Sequence, residues 1–237
     1  IDVMAAIPEQ TLESYQDTLE KIVSLNPEHI SSYSLIIEPG TVFGDWEKNG
    51  TLKHVDEDVD RQMYEWTGKY LQHMGYQRYE ISNYCRDGME CRHNCVYWCG
   101  GEYLGLGVNA SSYLTGYRFH VPVSQKTYRS YVNRICVLAE KESEGLKKAV
   151  QEMDELDFID QRAQMEEFMF LGLRMMAGVS EQEFYQRFGI SMMEVYGDII
   201  KKYQNMDLLC RRDTGRVALT EKGIDVSNSI LSDFLLN

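Results

Sequence analysis

No stretch of the 237 residues approaches the roughly 20 consecutive apolar residues that a membrane-crossing helix requires, and the opening Ile1-Asp2-Val3-Met4 lacks the basic start of a secretory signal. A cytoplasmic protein without a transmembrane segment is expected. Positive charge is also scarce: 24 Lys and Arg stand against 37 Asp and Glu, a net of −13. Such a field repels a phosphate backbone and argues against nucleic acid as a partner. Structural zinc favours paired C-x2-4-C knuckles, and the second pair is missing. The glycines at 105 and 107 do not complete a dinucleotide fingerprint, because Ala110 holds the last position with no helix pattern or ribose-binding acid after it. Proline and tryptophan are few and unevenly spread: all four prolines lie at or before Pro122, and all three tryptophans at or before Trp98. Beyond them helical patterns dominate, which sets a domain boundary within 121–149.

What is present describes a folded α/β protein. A hydrophobic content of 43% can bury a core, in one large or two small domains. The first residues, Ile1, Val3 and Met4 running into Ile7-Pro8, read as the end of a buried strand. A domain rarely opens there, so the reading expects a preceding N-terminal portion. Leu12, Tyr15, Leu19, Ile22 and Val23 recur at helical spacing after the cap Thr11, and Pro27 closes the segment. The segment from His29 to Ile37 reads as a strand bounded by Pro39-Gly40. A second helix fits Val59, Met63, Trp66, Tyr70, Leu71 and Met74, ends at Gly75 and leads to a strand from Tyr76 to Ile81. Alternation of this kind predicts βαβ units and a mainly parallel sheet.

Tyr128, Tyr131, Val132, Ile135 and Leu138 predict a further helix, and the acidic stretch 152–160 reads as a solvated connector. An apolar face from Met165 through Met176 is stopped by Gly178, and Ser180 with Glu183 and Ser191 with Glu194 form two candidate capping boxes. Leu208 to Cys210 and Val217 to Leu219 flank the turn Asp213-Thr214-Gly215 as a hairpin, and a final helix is expected from Thr220 through Phe234. Helices followed by a hairpin suggest a winged helix. Residues 151–237 nevertheless hold nine Lys or Arg against sixteen Asp or Glu, which favours a packing or lid module over DNA binding.

Chemistry concentrates between residues 91 and 99. Cys91, Cys95 and Cys99 are spaced i, i+4, i+8 and would share one helix face, with His93 pointing elsewhere. That spacing permits a three-thiolate site without demanding one, and the cysteines read equally as incidental or redox-sensitive thiols. Three disulfides are disfavoured in a reducing compartment. Within His93-Asn94-x-x-Tyr97-Trp98, an imidazole beside two large aromatics suits a haem iron and its macrocycle. It suits equally a packed core in which His93 serves as a hydrogen bonder. Both readings stand on the residues alone.

Several segments together resemble one family, the oxygen-independent coproporphyrinogen III oxidase-like radical S-adenosylmethionine proteins, and in particular its HemW haem-chaperone branch. They are residues Ile1 to Thr11, Leu25 to Ser31, Glu38-Pro39-Gly40-Thr41, Tyr79-Glu80-Ile81-Ser82-Asn83-Tyr84, Arg92-His93-Asn94 with Tyr97-Trp98, Tyr103 to Gly107, and Leu171-Gly172-Leu173-Arg174 through Leu219 to Gly223. The H-N-x-x-Y-W element is similar to the HemW branch rather than to the oxidase proper.

The resemblance implies an α/β fold: the C-terminal part of a radical S-adenosylmethionine TIM-like (βα) barrel, then an α-rich winged-helix-like domain. The expected divisions are 1–125 for the partial barrel, 126–160 for a helical connector and 161–237 for the C-terminal domain. The resemblance also assigns Asp2, and Ile36 at the end of the next strand, to an S-adenosylmethionine site, with His93 as haem-iron ligand and Tyr97 and Trp98 beside the haem. Haem or porphyrin is the implied ligand, with a haem-acceptor protein as a further partner. The implied [4Fe-4S] cluster uses a C-x3-C-x2-C segment that this sequence does not contain, so the chain by itself is not expected to cleave S-adenosylmethionine. No catalytic residue is assigned. Association through an exposed barrel edge, including homo-oligomerisation, is expected. Ala6 and Glu9 replace glycines common in the family's opening motif. Haem trafficking and coproporphyrinogen III oxidation remain alternative functions, with a winged-helix regulatory or protein-binding module as a third.

Overall fold

The computed structural model describes residues 1–121, 124–139 and 156–236. These divide into two compact units, Ile1–Cys91 and Arg92–Asn237. The stretch 140–155, which includes the start of the acidic connector, lies outside the described residues.

The first unit is built on β1 (Asp2–Ala5), α1 (Leu12–Ser24), β2 (His29–Ser34), α2 (Val42–Lys48), α3 (Glu57–His73), β3 (Gln77–Glu80) and β4 (Asn83–Cys85). Helix α1 starts where a full capping box forms: Thr11 accepts from the Ser14 amide and the Ser14 hydroxyl accepts from the Thr11 amide. Its buried stripe, Tyr15, Leu19 and Val23, packs with Met63 and Leu71 of α3 against Val3, Ala5, Ile30 and Tyr84 of the sheet. The Tyr15 hydroxyl bonds Thr67 at 2.8 Å and Ser32 at 3.0 Å, tying both helices to β2.

The four strands lie in the order β1-β2-β4-β3. Only β1 and β2 pair in parallel; β2–β4 and β3–β4 are antiparallel. The expectation of a mainly parallel sheet therefore needs correction. Strands β1, β2 and β3 share a direction, but the chain reverses at Ile81-Ser82 and the three-residue β4 inserts between β2 and β3. Glu80 fixes that reversal, its Oε1 accepting from the Ser82 amide at 2.7 Å and from Asn83 Nδ2 at 2.5 Å. Strand β2 also ends earlier than Ile37. After Leu35 bonds Ala5, β1 offers no further partner.

The second unit begins with α4 (Arg92–Trp98), followed by β5 (Ser111–Leu114), β6 (Tyr117–His120), α5 (Gln125–Ala139) and β7 (Asp157–Phe158), the three strands forming an antiparallel sheet in chain order. Then come α6 (Gln161–Gly172), β8 (Val179–Ser180), α7 (Glu181–Phe188), α8 (Met192–Asn205), β9 (Leu209–Arg211), β10 (Arg216–Leu219), α9 (Glu221–Asp225) and α10 (Ser227–Ser232). The expected hairpin is β9–β10, and β8 adds a third antiparallel strand on the far side of β10. Ser191 and Glu194 complete a capping box. Ser180 makes only its half, because Glu183 turns to Arg216 at 3.1 Å. The last helix is broken at Val226 (φ −118°, ψ 23°), where the following Ser-Asn-Ser run offers local hydrogen bonds that compete with a helix interior. Phe184, Tyr196 and Phe234, all fully buried, form the aromatic centre, with ring centroids 6.1 and 5.4 Å apart.

Two left-handed glycines of this unit separate backbone strain from crowding. Both Gly178 and Gly189 have φ +72°, but a Cβ on Gly178 would lie 2.1 Å from the Val217 carbonyl oxygen, while one on Gly189 meets nothing within 4 Å. In urea unfolding, Gly189→Ala is expected to cost about 1 kcal/mol, the left-handed penalty alone. Gly178→Ala should cost about 3 kcal/mol or more, because it adds a backbone clash. Equal effects would show that β8 does not press on β10 as described.

Candidate functional site

Helix α4 positions the H-N-x-x-Y-W side chains. His93 and Tyr97, four residues apart, lie on one face; the imidazole is exposed, and its Nε2 is 3.1 Å from the Tyr97 hydroxyl. The two rings meet edge to face at 4.9 Å. Tyr97 in turn packs edge to face on Tyr103 at 4.5 Å, and Tyr103 lies 6.4 Å from Tyr113. The ladder ends at Arg118, which sits 5.6 Å above Tyr113 and grips Glu167 of α6 through two hydrogen bonds of 2.9 and 3.1 Å. That grip holds the Arg118 guanidinium pKa above its usual value.

Trp98, five residues from His93, points about 140° away around the helix at about 100° per residue. The guanidinium of Arg174 lies 4.4 Å from its ring centroid. The indole Nε1 is buried with no hydrogen-bond partner among the described residues. The structure thus brings His93 and Tyr97 together and turns Trp98 elsewhere. Tyr103, Tyr113, Arg118 and Arg174 were not singled out as site residues in the sequence. The only signal for Tyr103 and Arg174 was that they sit in segments carrying the family resemblance.

Cys91 and Cys99 fall just outside the ends of α4, and none of the six cysteines forms a disulfide among the described residues. No three His, Cys, Asp or Glu side chains among the described residues converge to hold a metal ion. Burial raises the Cys99 thiol pKa, the Glu183 charge adds to that and Arg216 opposes it, so the group rests as a thiol rather than as the thiolate a metal needs. Gly105 serves a close approach of backbone to backbone: a Cβ there would fall 2.3 Å from the Ser111 carbonyl oxygen.

In the first unit the helices cover one face of the sheet, and the register defines the other. Asp2 faces Ser31, Ser31 faces Asn83, and Asn83 faces Glu80, so these four side chains form a polar row across all four strands. Asp2 is exposed, whereas Ser31, Asn83 and Glu80 are buried. The Asn83 Oδ1 has no hydrogen-bond partner among the described residues. Met4 and Tyr33, partners in the next row of this face, are exposed. Beyond the end of β2, Leu35, Ile36, Ile37, Glu38, Val42 and Phe43 line an apolar cavity of about 340 Å³. Ile36 lies five residues along from Ser31, a span of at most about 18 Å.

The fold is that of a mixed α/β radical S-adenosylmethionine protein. A solved structure of coproporphyrinogen III oxidase (HemN) from Escherichia coli, described as a radical SAM enzyme, superposes with a TM-score of 0.70 over 99% of this chain and 54% of its own, at 17% identity. Residues 159–226 match the HemN C-terminal domain family. Heme chaperone HemW of Lactococcus lactis is 35% identical over 100% of the chain, and that of Bacillus subtilis is 32% identical over 99%. The chain spans 58% of the length of each of these two relatives. It belongs to the HemW/HemN-like family.

His29, on β2 beside Ser31, gives this face a pH dependence. Its Nε2 is 2.9 Å from the Tyr79 hydroxyl, and burial holds its pKa below the usual histidine value. The unfolded chain therefore binds the proton more readily, so stability should be flat above the unfolded histidine pKa of about 6.5 and fall as pH drops through it. Denaturant midpoints across pH 5 to 8 test this: His29→Gln should flatten the acid-side loss, and an unchanged slope would assign it elsewhere.

Proposed function

We propose that this chain is the haem-binding portion of a HemW-like protein acting in haem trafficking or porphyrin metabolism, with His93 as the iron ligand and Tyr97 beside it, while Trp98, turned about 140° around the helix, packs under Arg174. The observation that carries the reading is an exposed imidazole at the head of a tyrosine ladder, in a chain similar along its whole length to proteins named heme chaperone HemW. Haem iron takes an imidazole nitrogen as axial ligand, and flanking rings shield the macrocycle edge from water. A haem-acceptor protein is the partner this role requires. The acidic balance of the chain sets nucleic acid aside.

In this reading the first unit and the start of the second are the C-terminal part of a (βα) barrel, and α6 to α10 with β8 to β10 form a winged-helix-like C-terminal domain joined through 126–160. S-adenosylmethionine and a [4Fe-4S] cluster belong to the intact protein. No donor set for a cluster occurs among the described residues, and no step is assigned to one. Asp2 and Ile36 suit an elongated S-adenosylmethionine, the carboxylate facing its hydrogen-bond donors and the apolar cavity beside Ile36 accepting a flat ring. Among the described residues no helix is long and apolar enough to cross a membrane, which accords with a cytoplasmic site of action.

The likeness to the HemN structure supports a second reading, oxidative decarboxylation of coproporphyrinogen III by the intact protein. The H-N-x-x-Y-W element favours the first. Spectrophotometric titration with ferric haem decides: wild type should give a shifted Soret band, and His93→Ala should weaken binding at least about tenfold, since even the supporting partners of metal ligands are worth 10- to 100-fold. If wild type and variant bind alike, or neither binds, His93 has no such role.

A further inference from the structure

We infer that the Tyr97 hydroxyl is a cap on the iron-binding nitrogen of His93, so that haem enters only by displacing it. The inference rests on the proposed haem site and assigns Tyr97 a role opposed to that of a haem contact. Nε2 is the outer nitrogen of the ring, and Nδ1 lies nearer the backbone, where a macrocycle would meet the helix. That outer nitrogen is occupied by the phenol at 3.1 Å. If the phenol donates, it holds the lone pair that iron needs. If it accepts, the nitrogen carries a proton and offers no lone pair at all. In either tautomer the phenol contact must break before Nε2 binds iron.

The cap is fixed on one side and loose on the other. Edge-to-face packing on Tyr103 at 4.5 Å and the next ring at Tyr113 hold the Tyr97 ring in place, whereas His93 is exposed. Opening is therefore a rotation of the imidazole away from a stationary phenol, a side-chain event that needs no backbone movement. The arrangement keeps the ligand nitrogen engaged without haem and surrenders it for the modest net worth of one neutral hydrogen bond. A carrier that must also release its haem gains a competitor for the ligand, since the phenol recaptures the imidazole as iron leaves.

Tyr97→Phe removes the oxygen and keeps the ring on Tyr103. With the whole chain, ferric haem affinity of this variant should rise about two- to tenfold, the equivalent of one neutral hydrogen bond, and the dissociation rate of bound haem should fall. Without haem, acylation of His93 by diethyl pyrocarbonate, followed by peptide mass analysis, should be faster in Tyr97→Phe than in wild type, because that reagent attacks the same lone pair. Unchanged or weaker haem binding by Tyr97→Phe, in a protein whose binding still requires His93, overturns the cap while leaving the haem site standing. Haem binding indifferent to His93→Ala removes the haem site, and the acylation rates then decide the cap by themselves: equal rates overturn it.

Discussion

The first unit is organised by the fact that apolar helices pack on only one face of its four-stranded sheet. Ten residues, among them Val3, Tyr15, Leu19, Ile30, Met63 and Tyr84, form the cluster on that side. At about 1.5–3 kcal/mol for each large apolar side chain buried, this packing outweighs anything the polar groups contribute, and it fixes the register, since a slip of one residue would turn every strand over. The polar row Asp2-Ser31-Asn83-Glu80 on the opposite face is a consequence. Once Val3, Ile30 and Tyr84 face the helices, their neighbours along each strand must face away, and those positions carry a carboxylate, a hydroxyl, an amide and a second carboxylate. A polar row across the sheet therefore follows from the pattern that builds the core.

Elements with a strong period were readable from the residues. Helices α1 and α3 announced themselves through apolar spacing and caps, and the β9–β10 hairpin through its Asp-Thr-Gly turn. The three-residue β4 was invisible because three residues carry no period, and its insertion is what changes the sheet from mainly parallel to mainly antiparallel pairing. The β5-β6-β7 sheet was missed for another reason: its third strand is two residues long and lies far along the chain from the hairpin it joins. Of the candidate site, the His93–Tyr97 pair was legible as an i, i+4 relation. Its continuation through Tyr103 to Tyr113 was not, because the isolated bridge that brings those two residues together is a tertiary contact. The face-sharing expected of Cys91, Cys95 and Cys99 presumed a helix longer than the seven residues that form.

The opening loop holds two non-glycine residues in the left-handed region. Ala6 and Glu9 stand where glycine is common in the family, yet both adopt the left-handed conformation, at φ 57° and 67°. Each carries a penalty of about 1 kcal/mol. The path is held from both sides, by the Gln10 amide on the Ile7 carbonyl at 2.9 Å and by the Thr11–Ser14 capping box. Strain of this kind persists only where surrounding contacts over-determine the conformation, and here the start of α1 does so.

A helix of seven residues is too short to stand on its own propensity, since nucleation costs more than so few backbone bonds return. Helix α4 buries none of its residues fully, so contacts along its flanks must hold it. Two are visible, about 100° apart around the helix. Trp98 is engaged by Arg174, and Tyr97 by Tyr103. His93 then projects from the first turn of a helix pinned near its last one, which explains how an exposed side chain can keep a defined direction. The two aromatics that seemed interchangeable in the sequence, as flanking rings for a flat ligand, divide the work: Trp98 anchors the helix, and Tyr97 addresses the imidazole. A ligand that seeks His93 meets Tyr97 first, while a change at Trp98 would reach it only by moving the helix.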